Sequence, residues 1–291
     1  MNGDQAPRLV HAGQHEIGEG LLWHDGTQRV FWFSILEGRL FSTDVDGANP
    51  REWRLGERAS AAGIIDNDTL LVATETGLWR LRLSSGEKSP VVPLEADNPR
   101  TRSNDGRTAP DGSFWIGTMG LNAESGAGAI YRLVDGEVHV IARRITIPNS
   151  ICFSPDGRTA YYSDTSEQRV MRLALDASGA PSGDPTVLID TREEGLNPDG
   201  AVTDEDGNIW LAQWGAGRVA CYNPGGRFRD AVPFPTPQVS CPVFGGPDLT
   251  TLFATTAWEN MSESERDENA GNTFAREVEA RGTPAPRVRL G

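Results

Sequence analysis

One tight turn recurs along this chain, and it limits the possible folds more than any other feature. Within Ile147 to Asp164, Pro155-Asp156-Gly157 separates two apolar runs, Ile151 to Phe153 and Ala160 to Tyr162. Each run is long enough for a strand and too short for a helix, so the stretch reads as a hairpin. Comparable turns stand at Asp25-Gly26, Asp66-Asn67, Pro110-Asp111-Gly112, Asp206-Gly207 and Gly246-Pro247-Asp248, which makes six copies. Their spacing of about 40 to 50 residues is the period of propeller blades.

After each turn comes a second apolar run, as in Phe31-Trp32-Phe33, Phe114-Trp115-Ile116 and Ile209-Trp210-Leu211. A third run follows, usually opened by glycine, as in Gly38-Arg39-Leu40-Phe41 and Gly128-Ala129-Ile130-Tyr131. A fourth is suggested by Val138 to Ile141 and Val187 to Ile189. Four strands per copy is the content of a propeller blade. The expectation is an all-β fold, a six-bladed β-propeller with four-stranded blades, forming a single domain over residues 1–291. Weak helical periodicity and a content of 33 Gly and 19 Pro agree with many turns. Residues 7–12 and Pro286 to Leu290 each offer a strand near a terminus, and propellers close their ring when strands from the two ends share a blade.

The formal net charge of −14 disfavours nucleic acid and anionic membranes as partners and makes divalent cations plausible ones. Met1 to Gly13 is polar and lacks the basic start and apolar core of a signal peptide, and no apolar run approaches a membrane span. Cys152, Cys221 and Cys241 are odd in number and form no Cys-x-x-Cys, which argues against a disulfide framework or zinc ribbon. A cytoplasmic protein is expected. No Gly-x-Ser-x-Gly elbow is present, and His11, His15, His24 and His139 show no metal-ligand spacing, so a Ser-His-Asp hydrolase is disfavoured.

The most informative polar residues stand just before the turns. Glu19 lies six residues before Asp25, while Asn104, Asn149 and Asp199 lie seven before Asp111, Asp156 and Asp206. The second copy has only Ala59-Ser60-Ala61 there, and the sixth has Cys241, read as a packing residue. The inner strands of a propeller line its central channel, so residues at one inner-strand position converge although they are far apart in sequence. Single Asn and Asp residues at strand starts commonly serve turns. A set recurring at one register instead points to a channel lined with hard oxygen donors suited to Ca²⁺, Mg²⁺ or Mn²⁺. Arg102 lies two residues before Asn104 and so points the same way, towards substrate hydroxyls or a carbonyl. Asp164 and the tryptophans at 32, 115, 210 and 214 are assigned to turn bonding and inter-blade packing. The acidic insertion Trp258 to Ala270 is a candidate loop over one end of the ring.

These residues resemble a known family. Gly18-Glu19-Gly20, Arg102-Ser103-Asn104-Asp105-Gly106 followed by Gly117-Thr118-Met119, Asn149 before Ser154-Pro155-Asp156-Gly157, Pro198-Asp199-Gly200 and Phe244-Gly245-Gly246-Pro247-Asp248-Leu249 are similar, in that order, to the senescence marker protein (regucalcin)/gluconolactonase family. The resemblance runs over essentially the whole chain. It implies a six-bladed propeller with one divalent cation in the channel (Ca²⁺, Zn²⁺, Mn²⁺, Mg²⁺ or Fe²⁺) and, as in the bacterial pentono- and hexonolactonases, hydrolysis of a sugar lactone. Carried over by position, it makes Glu19, Asn149 and Asp199 metal ligands, with Asp199 also a catalytic candidate, and makes Arg102, Asn104 and Asn122 substrate contacts. Leu21, Ser34 and Asn122 depart from the family, which often has Pro at the first, commonly Asp at the second and in some members an acidic residue at the third. The expected partner is a small sugar lactone, and the expected assembly a monomer or weak homo-oligomer. The alternatives are a calcium- or ligand-binding propeller without turnover and a scaffold whose outer surface binds a protein.

Overall fold

The computed structural model describes residues 6–291, so the first five residues of the polar amino-terminal stretch lie outside the described residues. Turn-forming Pro, Asp and Gly alternate with β-branched and aromatic runs, and the product is six four-stranded antiparallel sheets. β1 is Arg8–His11. The first blade is β2 (Gly18–His24), β3 (Arg29–Ser34), β4 (Arg39–Asp44) and β5 (Arg51–Arg54). The second comprises β6 (Ala59–Ile64), β7 (Thr69–Thr74), β8 (Gly77–Arg82) and β9 (Lys88–Pro93). The third runs β10 (Thr101–Thr108), β11 (Phe114–Gly120), β12 (Gly128–Val134) and β13 (Glu137–Ile145). The fourth runs β14 (Pro148–Phe153), β15 (Thr159–Asp164), β16 (Arg169–Ala174) and β17 (Thr186–Asp190). The fifth holds β18 (Asn197–Thr203), β19 (Ile209–Trp214), β20 (Arg218–Tyr222) and β21 (Phe228–Pro233). The sixth joins β22 (Val239–Gly245), β23 (Thr251–Thr256) and β24 (Thr273–Glu277) to β1.

The ring therefore closes with the amino-terminal strand outermost in the sixth blade, where Leu9 pairs with Phe274 and His11 with Thr273. Pro286 to Leu290 does not add a second closing strand. It makes one parallel bridge, Arg287 with Ile64, and Val288 N donates to Ile64 O at 2.7 Å. Pro284 and Pro286 have no N–H to give to a ladder, which accounts for the difference. The tail instead runs across one end of the channel, from Gly282, whose N donates to Leu249 O, to Arg289, whose N donates to Gly112 O.

The recurring turn forms as the sequence suggests. Gly157 adopts φ 69°, its N donates to Ser154 O at 2.9 Å, and Ser154 Oγ donates to Asp156 Oδ1 at 2.6 Å. Between blades the space is apolar and tightly filled. Trp32 and Trp115 are fully buried, Trp115 meets Phe153 of the next blade edge-on at 5.3 Å, and Trp210 meets Phe244 likewise at 5.5 Å. Asp164, as expected, bonds a neighbouring turn, accepting from Thr146 N and Ile147 N. All three cysteines are free and buried. Among the described residues no helix is long and apolar enough to cross a membrane.

Candidate active site

All six inner strands carry a β-bulge near their starts. In β2, Glu19 pairs with Phe33 and the next paired residue is Leu22; in β14, Asn149 pairs with Ser163 and the next is Cys152. In β10 the register slips between Ser103 and Gly106, and in β18 between Pro198 and Ala201. Glu19 and Asn149 thus occupy the last paired position, whereas Asn104 and Asp199 lie inside their bulges. The single register expected from sequence is two adjacent positions. A bulge sets two residues against one, so neighbouring side chains that strict alternation would separate can turn to one side. Gly20 has φ 63°, and a Cβ there would overlap the Ser60 carbonyl oxygen of the next blade. Serines complete three of the seams: Ser60 Oγ donates to Asn104 O, Ser150 Oγ to Asp199 O and Ser240 Oγ to Gly18 O, at 2.5, 2.6 and 2.5 Å.

Glu19, Arg102, Asn104, Asn149 and Asp199 together line a cavity of about 440 Å³ at the end of the channel where the inner strands begin. All five are nearly buried, with 3 to 8% of their surface exposed. Arg102 Nη1 donates to Asn104 Oδ1 at 2.8 Å, and Asn104 Nδ2 donates to Asn149 Oδ1 and to Pro148 O, each at 3.0 Å. Asn149 Nδ2 donates to Thr165 Oγ1 at 2.8 Å, and that hydroxyl spends its own proton on Pro198 O at 2.7 Å. Thr165 can therefore only accept from Asn149, and this fixes which way the amide faces. The amide oxygen is kept on the cavity side, with one lone pair used by Asn104 and one left for a ligand.

The carboxylates are under electrostatic stress. Burial, and then the charge of Asp105, pushes Glu19 up to about 8, although the Gly20 N–H at 2.8 Å opposes this. Burial, followed by the charges of Glu19, Asp105 and Glu259, raises Asp199 well above the usual carboxylate range. Two buried acids that repel each other, beside a carbonyl-type oxygen held in place, form a donor set that fits a hard divalent cation, because such an ion offsets both charges. No group of three or more His, Cys, Asp and Glu suited to a metal occurs among the described residues, so a cation held by Glu19 and Asp199 would draw any third protein oxygen from a group such as the Asn149 amide.

Residues 17–258 match the family described as SMP-30/Gluconolactonase/LRE-like region. The chain belongs to this family. A Rhizobium meliloti protein provisionally named a sugar lactone lactonase is 39% identical over 97% of this chain and 97% of its own. A 6-deoxy-6-sulfogluconolactonase of Pseudomonas putida is 33% identical over 93% of this chain and 94% of its own. The crystal structure of a calcium-binding protein, regucalcin, from Agrobacterium tumefaciens superposes with a TM-score of 0.95 at 38% identity, covering 98% of both chains. The SMP-30/gluconolactonase relatives support a lactonase activity, and the Agrobacterium tumefaciens structure shares the fold.

Further residues stand at the margins of the same cavity, some expected from sequence and some not. Asn122 stands on the exposed rim of the same cavity, where its Nδ2 donates to Glu124 Oε1 at 3.0 Å. Trp214, assigned to inter-blade packing, instead lines the cavity, because β19 ends there and its last side chain has no neighbouring blade to enter. The insertion after β23 does reach over this end and contributes Glu259 and Asn260. Thr165 and Asp105 were also missed. Asp105 lies inside its bulge beside Asn104, buried and accepting from Ile151 N of the next blade at 2.6 Å. Cys241 lies off the cavity, packed against Leu21 and Trp23.

The Thr165 arrangement makes a specific demand on the Asn149 amide. Thr165→Val keeps the shape and removes the only acceptor among the described residues that orients this amide, so if Asn149 binds a cation its affinity measured by titration should fall about 10- to 100-fold, the usual cost of losing an orienting partner behind a metal ligand. Unchanged affinity would mean that Asn104 alone suffices.

Proposed function

We propose that this chain is a divalent-cation-dependent sugar lactonase that opens an aldono-1,4- or 1,5-lactone of five or six carbons to the aldonic acid, acting as a single domain. The carrying observation is the convergence of Glu19, Asn149 and Asp199 from three blades onto one cavity wall that also holds Arg102 and Asn104. The substrate-bearing name of the Pseudomonas putida relative supports the sugar lactone class.

Glu19, Asn149 and Asp199 hold the cation. When bound, it supplies a Lewis acid for the lactone carbonyl and lowers the pKa of an attacking water. Arg102 and Asn104 orient the sugar hydroxyls and ring oxygen, the guanidinium as a planar donor fork and the amide through both of its groups. Asp199 is the candidate base for the water, since its carboxylate is buried and lines the cavity beside the proposed cation position. The water oxygen bonds to the acyl carbon, the ring C–O bond breaks, and the released ring oxygen takes up a proton as a hydroxyl.

The test is a pH-indicator assay of a panel of five- and six-carbon lactones, using protein stripped of metal and then supplied with single cations. Stripped protein should be inactive and one or more cations should restore it. Cation binding should also raise the melting temperature, because the ligands come from three blades and the ion favours the closed ring. Full turnover without metal would remove the mechanism. The second reading is a calcium-binding propeller without turnover, favoured by the likeness to the calcium-binding regucalcin of Agrobacterium tumefaciens. Tight cation binding with no hydrolysis of any lactone would select it.

A further inference from the structure

We infer that Glu259, on the segment between β23 and β24, sets a preference for lactones whose far end carries no negative charge. The inference rests on the lactonase reading above and concerns which lactones are accepted.

Glu259 is placed by main-chain anchors rather than left to a loose loop. Ala257 bridges Ile17 and its N donates to Gln238 O at 2.9 Å. Trp258 is held twice, its N donating to Glu16 O at 3.0 Å and its Nε1 to Gln14 O at 2.8 Å, with the Arg266 guanidinium stacked 3.8 Å above its ring. Gln238 Nε2 then donates to Glu259 O at 2.9 Å. Asn260, the next residue, is exposed, so the carboxylate stands where the cavity opens.

The cavity has a polarity along its depth. Glu19, Asn149 and Asp199 form the buried floor, where the lactone carbonyl is placed, while half-buried Glu259 belongs to the rim. The carbons of the substrate most remote from the carbonyl therefore face Glu259. Arg102 lines the same cavity, where the charge of Glu259 favours the guanidinium cation and that of Arg102 favours the Glu259 carboxylate. A hydroxyl at the far end finds an acceptor in Glu259. A carboxylate or sulfonate there meets a like charge in a partly desolvated site, where repulsion is screened less than in water.

The experiment compares two lactones that differ at the terminal carbon, D-glucono-1,4-lactone with a hydroxymethyl group and D-glucaro-1,4-lactone with a carboxylate. The native protein, Glu259→Gln and Glu259→Lys are assayed for kcat/KM and, by calorimetry, for binding of both compounds. Removing the charge should shift the ratio of kcat/KM towards the charged lactone about tenfold, and reversing it should shift the ratio further. Equal ratios in all three proteins would overturn the inference. If the native protein turns over neither compound, the lactonase reading has failed, and the binding ratios still decide: an unchanged ratio overturns the role of Glu259, and a shifted one sustains it. Cation affinity is measured in parallel and should change much less than the kcat/KM ratio, since Glu259 reaches Asp199 only through its charge and is not in the proposed ligand set. A parallel loss would mean that the substitutions act through the floor of the site.

Discussion

Asp199→Asn should cut lactone turnover on the order of 10² or more, even when cation is saturating. The substitution keeps shape and one oxygen donor and removes both the charge that balances a cation and the basic site facing the cavity. Cation affinity should also fall, so the measurement that matters is kcat extrapolated to full occupancy. Glu19→Gln is the comparison. Its carboxylate shares the buried floor, but it accepts from the Gly20 N–H and is asked only to bind and tune the ion. It should therefore recover most of its turnover once cation saturates. Equal recovery of the two variants would reduce Asp199 to a ligand and leave activation of the water to the cation alone.

Arg102→Ala should lower kcat/KM by a comparable factor, on the order of 10², because a buried charged donor is removed from the position proposed to meet the substrate. Arg102 is desolvated, which holds its guanidinium below the usual range, and within the described residues only Nη1 is engaged, with Ser103 O and Asn104 Oδ1. The rest of the fork is free to address the substrate. Arg102→Lys should rescue poorly, since one ammonium cannot reproduce two parallel hydrogen bonds at fixed spacing. Cation titrations should stay near native for both variants. A Lys variant of native activity would show that a point charge is enough.

The architecture was legible because its signals are local. A turn such as Pro155-Asp156-Gly157 and a flanking run such as Ala160 to Tyr162 are determined by neighbours in sequence, and six repetitions make the blade count nearly redundant. Glu19, Asn104, Asn149 and Asp199 were legible through their distance from those turns, though only to within a residue. The bulges decide whether a side chain joins the channel from a paired or an unpaired position, and Gly20 is among the few residues whose backbone preference hints at them. Thr165, Trp214 and Glu259 could not be found this way. Each reaches the cavity from the end of a strand or from an insertion, so its position depends on what lies across the ring and not on a repeated offset. Pro286 to Leu290 failed for a related reason: it has the apolar content of a strand but lies beyond the last blade, where no open sheet edge awaits it.

The course of that tail bears on traffic through the molecule. Thr283 to Pro286 lie against the far ends of all six inner strands, closing over an inner space of about 260 Å³ lined by residues such as Leu22, Phe153 and Phe244. The two ends of the ring therefore differ: Thr283 to Pro286 lie at one, and Glu259 and Asn260 line the cavity that holds Glu19, Asn149 and Asp199 at the other. On the proposed lactonase reading, an aldonic acid formed at the floor would be an anion, and Glu259 would present it with a like charge on the rim. If Glu259 screens what enters, the same charge would help to expel what is made, and one rim residue would influence both the choice of substrate and the clearing of the site for the next.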